Sequence, residues 1–391
     1  MTEVVVRLEA WQPEQLGLPA RVDLLIDTPT RNYQVYITGA GLQSQPGLEA
    51  GVTLALLAAM RTGSILRVEG ALSATFLQGV QQYIRRFTAS FPEFSVVEVR
   101  PDSILHDQKV EPTGRCASFF SGGVDSFFTL LKGRGSISDI IYIHGFDVRL
   151  DDWPRRHAID AMGVAVAQAL GVRYVPVESN LGKVLQDFGL WNRHAHGLAL
   201  IAVARMLAGY IDEVRIPSSY SIDEQEPWGS WLETDPLLSD ERLRIVHDAC
   251  EARRMDKVKR LATEPLALKY LRVCWGREDG MYNCCRCEKC IRTMTSLAIL
   301  GVLKDADAFA LPLEPRRVAS VCLPGPGVRI FTRENLQLLL ESGLDWPELE
   351  RALQTQLNRP IWWSRMRLKW RKRLKRWQGR FGFSSGASAN A

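Results

Sequence analysis

The sequence predicts an α/β fold: a parallel-sheet core, preceded by an N-terminal α+β segment and followed by a small helical part. Three observations lead there. From residue 116, apolar strand-like runs alternate with helix-like stretches, the pattern of a parallel sheet covered by helices on both faces. Before residue 106, short strands and two helical stretches mix without that regularity. Beyond the cysteine-rich stretch 274–290, the apolar spacing is helical.

In the first segment, 4–10 (VVVRLEA), 21–26 (RVDLLI) and 33–38 (YQVYIT) read as strands. A helix at 48–61, a strand at SILRVEG, a helix at 72–91 and a strand at 95–100 (SVVEVR) complete it. HDQKVEPTG, which begins at His106, reads as a solvated linker. In the core, CASFF is a strand and 125–132 opens a helix. DIIYIHGFDV is a strand, 155–170 a helix, VRYVPVES a strand, 195–209 a helix and EVRIPSS a fourth strand. His247 falls in a charged stretch that reads as helical and structural. A helix at about 288–300 follows the cysteines. The expected divisions are therefore 1–105, 115–305, 306–358 and a basic tail, 359–391. Ligands of such sheets sit beyond the carboxyl ends of the strands, so residues 121–126, 144–147, 178–180 and 218–221 should share one rim.

With 391 residues, 46% hydrophobic and 24% charged, the chain has room for two or three domains and a large core. It shows no secretory leader pattern and no run near the ~18 apolar residues of a membrane span, so the expected location is cytoplasmic. The net charge of +5 is unevenly spread: residues 361–381 carry nine Arg or Lys and no acid, and removing them leaves −4. The final SSGASANA is of low complexity and reads as disordered.

The stretch SGGVDS, residues 121–126, lies where the first core strand should turn into a helix. Adjacent glycines allow a tight turn and close approach to a ligand. The first amides of the helix have no intrahelical partner, and the helix dipole favours an anion there. Ser121 and Ser126 add hydroxyls, which completes a phosphate cradle. Asp125 fits beside phosphate when Mg²⁺ lies between them. The Walker A pattern is missing. SGGVDS instead resembles the PP-loop of the ATP pyrophosphatase superfamily. That resemblance implies an ATP-binding fold, adenylation of a substrate oxygen and release of pyrophosphate. It implies that Ser121, Gly122, Gly123, Val124, Asp125 and Ser126 hold ATP, with Asp125 and Ser126 in the catalytic roles.

Five of the eight cysteines lie in CWGREDGMYNCCRCEKC, residues 274–290. Such density points to a metal rather than to disulfides. Cys274, Cys284, Cys287 and Cys290 suit tetrahedral Zn²⁺; Cys285 could replace Cys284, and an iron–sulfur cluster is the alternative occupant. A PP-loop followed by such cysteines is similar to the 7-cyano-7-deazaguanine synthase family. That family uses ATP and ammonia to turn a carboxylate into a nitrile and carries Zn²⁺ on four cysteines. The similarity covers about residues 115–300 and implies the zinc role for Cys274, Cys284, Cys287 and Cys290. It departs in the cysteine spacing, one residue longer here, and in the long 218–241 loop with seven acids.

His144 and Asp147 end the second strand, where His144 suits either a nucleotide contact or a satisfied strand end. Arg193, His194 and His196 precede an apolar helix and suit an anion or a solvated cap. Ser218, Ser219 and Asp223 follow the fourth strand, and Glu233 and Asp235 are candidates for a second Mg²⁺ contact. In the tail, Trp363, Met366, Trp370, Leu374 and Trp377 fall on one helical face among basic residues. That face suits an anionic membrane surface or an acidic partner first, which would make the protein peripheral at the membrane, and nucleic acid second. The expected activity is that of an ATP-dependent ligase acting on a small-molecule carboxylate or amide oxygen with nitrogen as the second nucleophile. A tRNA-thiolating enzyme and a non-catalytic ATP-binding scaffold are the alternatives.

Overall fold

The computed structural model describes every residue except 1, 16–17, 43–46, 107–108, 275–280 and 381–391. Part of the expected linker and the low-complexity end lie outside the described residues. Two compact units are present: residues 1–257 with 270–272, and residues 258–269 with 273–391.

The first unit begins with strands β1 (Glu3–Gln12), β2 (Ala20–Asp27) and β3 (Asn32–Gly39). Helix α1 (Glu49–Thr62), strand β4 (Ile65–Ser73), helix α2 (Ala74–Ser90) and strand β5 (Val99–Leu105) follow. Then come β6 (Cys116–Phe119), α3 (Val124–Lys132), β7 (Asp139–His144), α4 (Trp153–Leu170) and β8 (Arg173–Ser179). A short α5 (Leu181–Gln186), a π-turn at Trp191–Ala195, α6 (His196–Met206), β9 (Glu213–Pro217) and β10 (Arg244–Asp248) complete the sheet. Helix α7 (Arg254–Ala262) comes next in the chain.

Among the described residues, ten strands form one sheet in the order β10-β9-β6-β7-β8-β3-β2-β1-β4-β5. Six of its nine neighbour pairings are parallel and three antiparallel. The α/β class expected from the sequence is therefore present, but the N-terminal strands, expected as a separate α+β domain, continue the same mixed, mostly parallel sheet. Among β6–β10 every pairing is parallel, and β6 lies between β7 and β9. The chain leaves β6 toward β7 and returns on the other side to β9. Their carboxyl ends thus flank a topological switch point, where open α/β sheets bind ligands. β7 is buried at every position, which is why it reads as one continuous apolar run.

β3 continues this sheet by pairing antiparallel with β8: Ile37 faces Ser179, Thr38 faces Glu178 and Gly39 faces Val177. The Ser179 hydroxyl donates to the Tyr36 carbonyl at 2.5 Å, and the Tyr36 amide donates to Asn180 Oδ1 at 3.0 Å. One apolar core underlies both parts, from Val4, Leu24 and Val35 through α1 and α6 to Ile141, Val175 and Ile245. α1 is buried from Glu49 to Met60 and packs on α6, so its apolar residues show no one-sided pattern.

Two local expectations are corrected. The strand expected at 95–100 starts later, at Val99, and pairs parallel with β4. Val96, whose apolar character suggested a strand there, is 67% exposed. The stretch around His247 is strand β10, not a helix; it pairs with β9 from Arg244↔Glu213 to Asp248↔Pro217 and buries Ile245 and His247. Alternating charges masked its apolar face.

The second unit is helical: α8 (Pro265–Tyr270, its last residue in the first unit), α9 (Glu288–Ile299), α10 (Pro315–Ser320), α11 (Pro326–Ser342), α12 (Pro347–Asn358) and α13 (Ile361–Arg380). No helix among the described residues is long and apolar enough to cross a membrane.

Candidate functional site

The SGGVDS loop leaves β6 at the switch point. Gly122 sits at φ +76°, where a Cβ would lie 3.0 Å from Met162 Cε and 3.2 Å from Arg272 Cβ. Glycine is needed for both conformation and space. Gly123 caps α3 with extended backbone and no side-chain cap, and its carbonyl accepts the Phe127 amide at 2.9 Å. The α3 N-terminus, with Asp125 in its first turn, is thus the anion-favouring end of a helix. Ser126 is buried and donates to the Gly123 carbonyl at 3.1 Å, which stiffens the turn.

Asp125 meets cations. Arg254 Nη1 lies 2.8 Å and Lys257 Nζ 3.8 Å from its carboxylate, and the Ser219 hydroxyl donates to it at 3.2 Å. Lys257 is fully buried and its ammonium also donates to the Ser218 carbonyl at 2.7 Å. Burial pushes the Lys257 pKa down against the pull of Asp125. Neither Arg254 nor Lys257 was singled out from the sequence. Their spacing, three apart at a helix start in RRMDK, puts both on one face of α7.

Arg272 braces the other side of the loop. Its amide donates to the Gly122 carbonyl at 2.7 Å and its guanidinium to the Ser121 carbonyl at 3.2 Å and Asp147 at 2.5 Å. Burial raises the Asp147 pKa, but the Arg272 charge and the hydrogen bonds from Tyr142 and Arg272 outweigh it and hold the carboxyl below its usual range. His144 is buried at the end of β7, and its Nε2 lies 2.8 Å from Asp160, which also accepts from Tyr174 at 2.7 Å.

The other candidates disperse. His194 is buried amid Phe87, Phe91 and Phe94, with Nε2 3.2 Å from Glu93; burial depresses its pKa. His196 has Nδ1 3.3 Å from the Trp191 carbonyl, and burial depresses its pKa too. Glu233 pairs with Arg86 at 3.0 Å, Asp223 with Arg253 at 3.5 Å, and Asp235 with His247 at 2.8 Å. The linker residue His106 is exposed.

In the second unit, Cys274, Cys284, Cys287 and Cys290 converge, with all four sulfurs within 4.8 Å of one another. The Cys284–Cys290 and Cys287–Cys274 sulfurs are 3.9 Å apart. Tetrahedral Zn–S bonds of ~2.3 Å require S···S distances of about 3.8 Å, so these four cysteines could hold a metal ion such as zinc. The fold builds the set locally. The Cys287 amide donates to Cys284 Sγ at 3.3 Å, and Cys287 Sγ caps α9 by accepting the Cys290 amide at 3.5 Å. Asn283 Oδ1 accepts the amides of Val273 and Cys274 at 2.9 and 3.2 Å, and its Nδ2 donates to the Ala308 carbonyl at 2.9 Å. This buried asparagine, which the sequence did not mark, positions Cys274. Cys285 takes φ +51°, donates to the Asn283 carbonyl at 3.4 Å, and burial raises its thiol pKa. The converging set contains Cys284 and not Cys285.

On α13, Trp362, Met366 and Trp370 are exposed, as are Arg365, Lys369 and Arg373. Trp363 is half-buried between the Arg359 and Arg367 guanidiniums, 4.9 and 5.1 Å from its ring centroid.

The fold and the two candidate sites define an α/β protein with a glycine-turned loop at a sheet switch point and four converging cysteines that could hold a metal ion. The chain matches no protein-family model, no curated protein and no solved structure.

Proposed function

We propose that the chain is an ATP-dependent, AMP- and pyrophosphate-forming ligase of the PP-loop type, resembling 7-cyano-7-deazaguanine synthases. One observation carries the reading: SGGVDS occupies the switch point, with Arg254 and Lys257 gathered at its aspartate. A cradle that holds the β- and γ-phosphates leaves the α-phosphorus as the electrophile. A carboxylate or amide oxygen attacks it in line, and pyrophosphate departs. Residues 121–126 position the phosphates through the glycine turn and the α3 N-terminus. Arg254 and Lys257 would exchange their carboxylate partner for the departing pyrophosphate and neutralise its charge.

The donor set fits Mg²⁺ only together with phosphate oxygens, since Asp125 offers a single carboxylate already touched by two cations. When bound there, Mg²⁺ supplies further charge neutralisation on the leaving group. Nitrogen, as ammonia or an amine, completes the reaction at the activated carbon. The cysteine centre would hold structural Zn²⁺ and tie Cys274 to α9.

The test is product analysis of ATP labelled at the α-phosphate, with purified protein, Mg²⁺, ammonia and a small-molecule extract of the source cell. Label in AMP or in an adenylated metabolite supports the reading. Label in ADP, or ATP left intact, overturns it.

The exposed α13 face motivates a second, separate reading. Trp362, Met366 and Trp370 recur every four residues and are flanked by exposed cations, which suits a helix lying on an anionic lipid surface. Methionine has no ring to stack on bases, and this favours lipid over nucleic acid.

A further inference from the structure

The adenylation chemistry leaves unused a dyad at the carboxyl end of β7. His144 is the last residue of that strand, one strand over from β6, whose carboxyl end carries the SGGVDS loop. The His144 ring is buried, with Nε2 2.8 Å from Asp160 Oδ1, and the Tyr174 hydroxyl donates to the same oxygen at 2.7 Å. Burial raises the Asp160 pKa, but the hydrogen bonds from His144 and Tyr174 outweigh it and hold the carboxyl below its usual range. An ionised carboxylate can only accept, so His144 Nε2 carries the proton. The neutral ring then has its lone pair on Nδ1. That atom is sealed from solvent and has no hydrogen-bond partner among the described residues. Buried acceptors are nearly always paired, so one left open at the ligand end of a sheet marks a place for a donor.

The surroundings fix the dyad and tie it to the loop. The Tyr142 ring meets the His144 ring edge to face, with centroids 4.8 Å apart, and its hydroxyl donates to Asp147 at 2.7 Å. Asp147 accepts from Arg272, which also donates to the Ser121 and Gly122 carbonyls of the loop. On α4, Arg156 acts electrostatically on Asp160 and pairs at 2.5 Å with Glu178, the residue opposite His144 on β8. Met162, two residues beyond Asp160 on α4, is the side chain that a Cβ on Gly122 would meet at 3.0 Å. The titratable groups around the imidazole are thus Tyr142, Asp160, Tyr174 and Glu178, with Asp147, Arg156 and Arg272 beyond them. An occupant of Nδ1 must bring an N–H or O–H, and it must be small, since the atom exposes no area to water.

We propose that His144 is the general base of the second half-reaction: its Nδ1 binds ammonia and takes the proton that ammonia loses on attacking the acyl adenylate, with Asp160 as the positioning residue. The proposal rests on the adenylation reading. Ammonia donates one N–H to Nδ1, which leaves its lone pair free for the acyl carbon. A C–N bond forms, the C–O bond to phosphate breaks, and the electron pair leaves with AMP. One N–H proton moves to Nδ1. The imidazolium so formed is held by the Asp160 carboxylate and returns its proton to water, and the product is an amide. No redox change occurs. The Asp160 contact fixes both the orientation of the ring and the nitrogen that carries the resting proton.

Two measurements on the full chain test this. The first reads the ring itself, in ¹⁵N-histidine NMR spectra at pH 8, with His144→Gln assigning the signal among six histidines. His144 should show a protonated Nε2 and a bare Nδ1, and Asp160→Asn, whose amide can donate to Nε2, should move the proton to Nδ1. A protonated Nδ1 in the parent overturns the proposal. The second separates the half-reactions, with ATP, Mg²⁺ and the small-molecule extract. Exchange of labelled pyrophosphate into ATP without ammonia reads adenylation, and transfer of ¹⁵N from ammonium chloride into product at pH 7 reads the second step. General bases contribute about 10²–10⁴-fold, so His144→Gln and Asp160→Asn should each lose at least about tenfold in ¹⁵N transfer while exchange continues. A smaller loss in both variants overturns this proposal alone and leaves Nδ1 to a buried water. Loss of exchange together with transfer in both variants also overturns it, because His144 then serves the nucleotide or the fold. No exchange in the parent overturns the adenylation reading and this one with it.

Discussion

Replacing Asp125 by Asn keeps the side-chain shape and removes only its charge. Asp125 is the carboxylate facing Arg254 at 2.8 Å and Lys257 at 3.8 Å, and those side chains are 9% and 0% exposed. Breaking a buried ion pair by removing one partner costs about 3–5 kcal/mol, because the remaining charge stays desolvated. Asp125 itself is 19% exposed, so water offsets part of the loss and about 3 kcal/mol is expected. The two cations then need another anion. Urea denaturation of the Asp125→Asn chain should show that loss in dilute buffer. Pyrophosphate at millimolar concentration should restore more stability to the variant than it adds to the parent, because it meets the uncompensated charges without competing with a carboxylate. A variant within 1 kcal/mol of the parent, or one that pyrophosphate stabilises less than the parent, would refute the idea that Asp125 holds a phosphate-binding cation pair in place.

Three further outcomes are expected. Metal analysis should find one Zn²⁺ per chain in colourless protein; Cys284→Ser should lose it and Cys285→Ser should retain it, since only Cys284 joins the converging set. His247 is held at a pKa of about 9 against an ordinary 6.5, so its contribution to stability is complete below about pH 6.5 and disappears as pH rises through 9. At 1.36 kcal/mol per pKa unit, that gap is worth about 3 kcal/mol; denaturation between pH 6 and 10 should show the decline, and Asp235→Asn should flatten it. Finally, the full chain should sediment with vesicles of 70% phosphatidylcholine and 30% phosphatidylserine but not with pure phosphatidylcholine. Trp362→Ser with Trp370→Ser should weaken that binding at least about tenfold; tighter binding to an RNA oligonucleotide than to the vesicles would point to nucleic acid instead.

Much of this protein follows from local sequence. Parallel core strands buried on both faces declare themselves as apolar runs, as β6 and β7 do, while β8 and β9 were legible from their alternation of buried apolar with less buried positions. Glycine at a positive-φ turn is a local necessity, so Gly122 marked the loop before any fold was known. Four thiols within seventeen residues can meet only by converging on one another, so the metal-type centre was also legible. The choice between Cys284 and Cys285 depended on a single backbone turn, Cys285 at φ +51°, which composition cannot express.

What only the tertiary structure decided lies in contacts between distant residues. The antiparallel pairing of β3 with β8 joins the N-terminal strands to the core across about 140 residues, and no local pattern encodes a partner at that separation. β10 forms because β9 offers it an edge; its own charged surroundings resemble a helix. Arg254 and Lys257 reach Asp125 from 129 and 132 positions away, and Asp235 reaches His247 from a loop. Burial then sets the electrostatics, lowering the Lys257 pKa and leaving Asp235 to hold His247 charged. Sequence alone determined the types of residue and the local turns. The fold decided which charges share a desolvated space, because the low dielectric that strengthens their interaction exists only once the chain has packed.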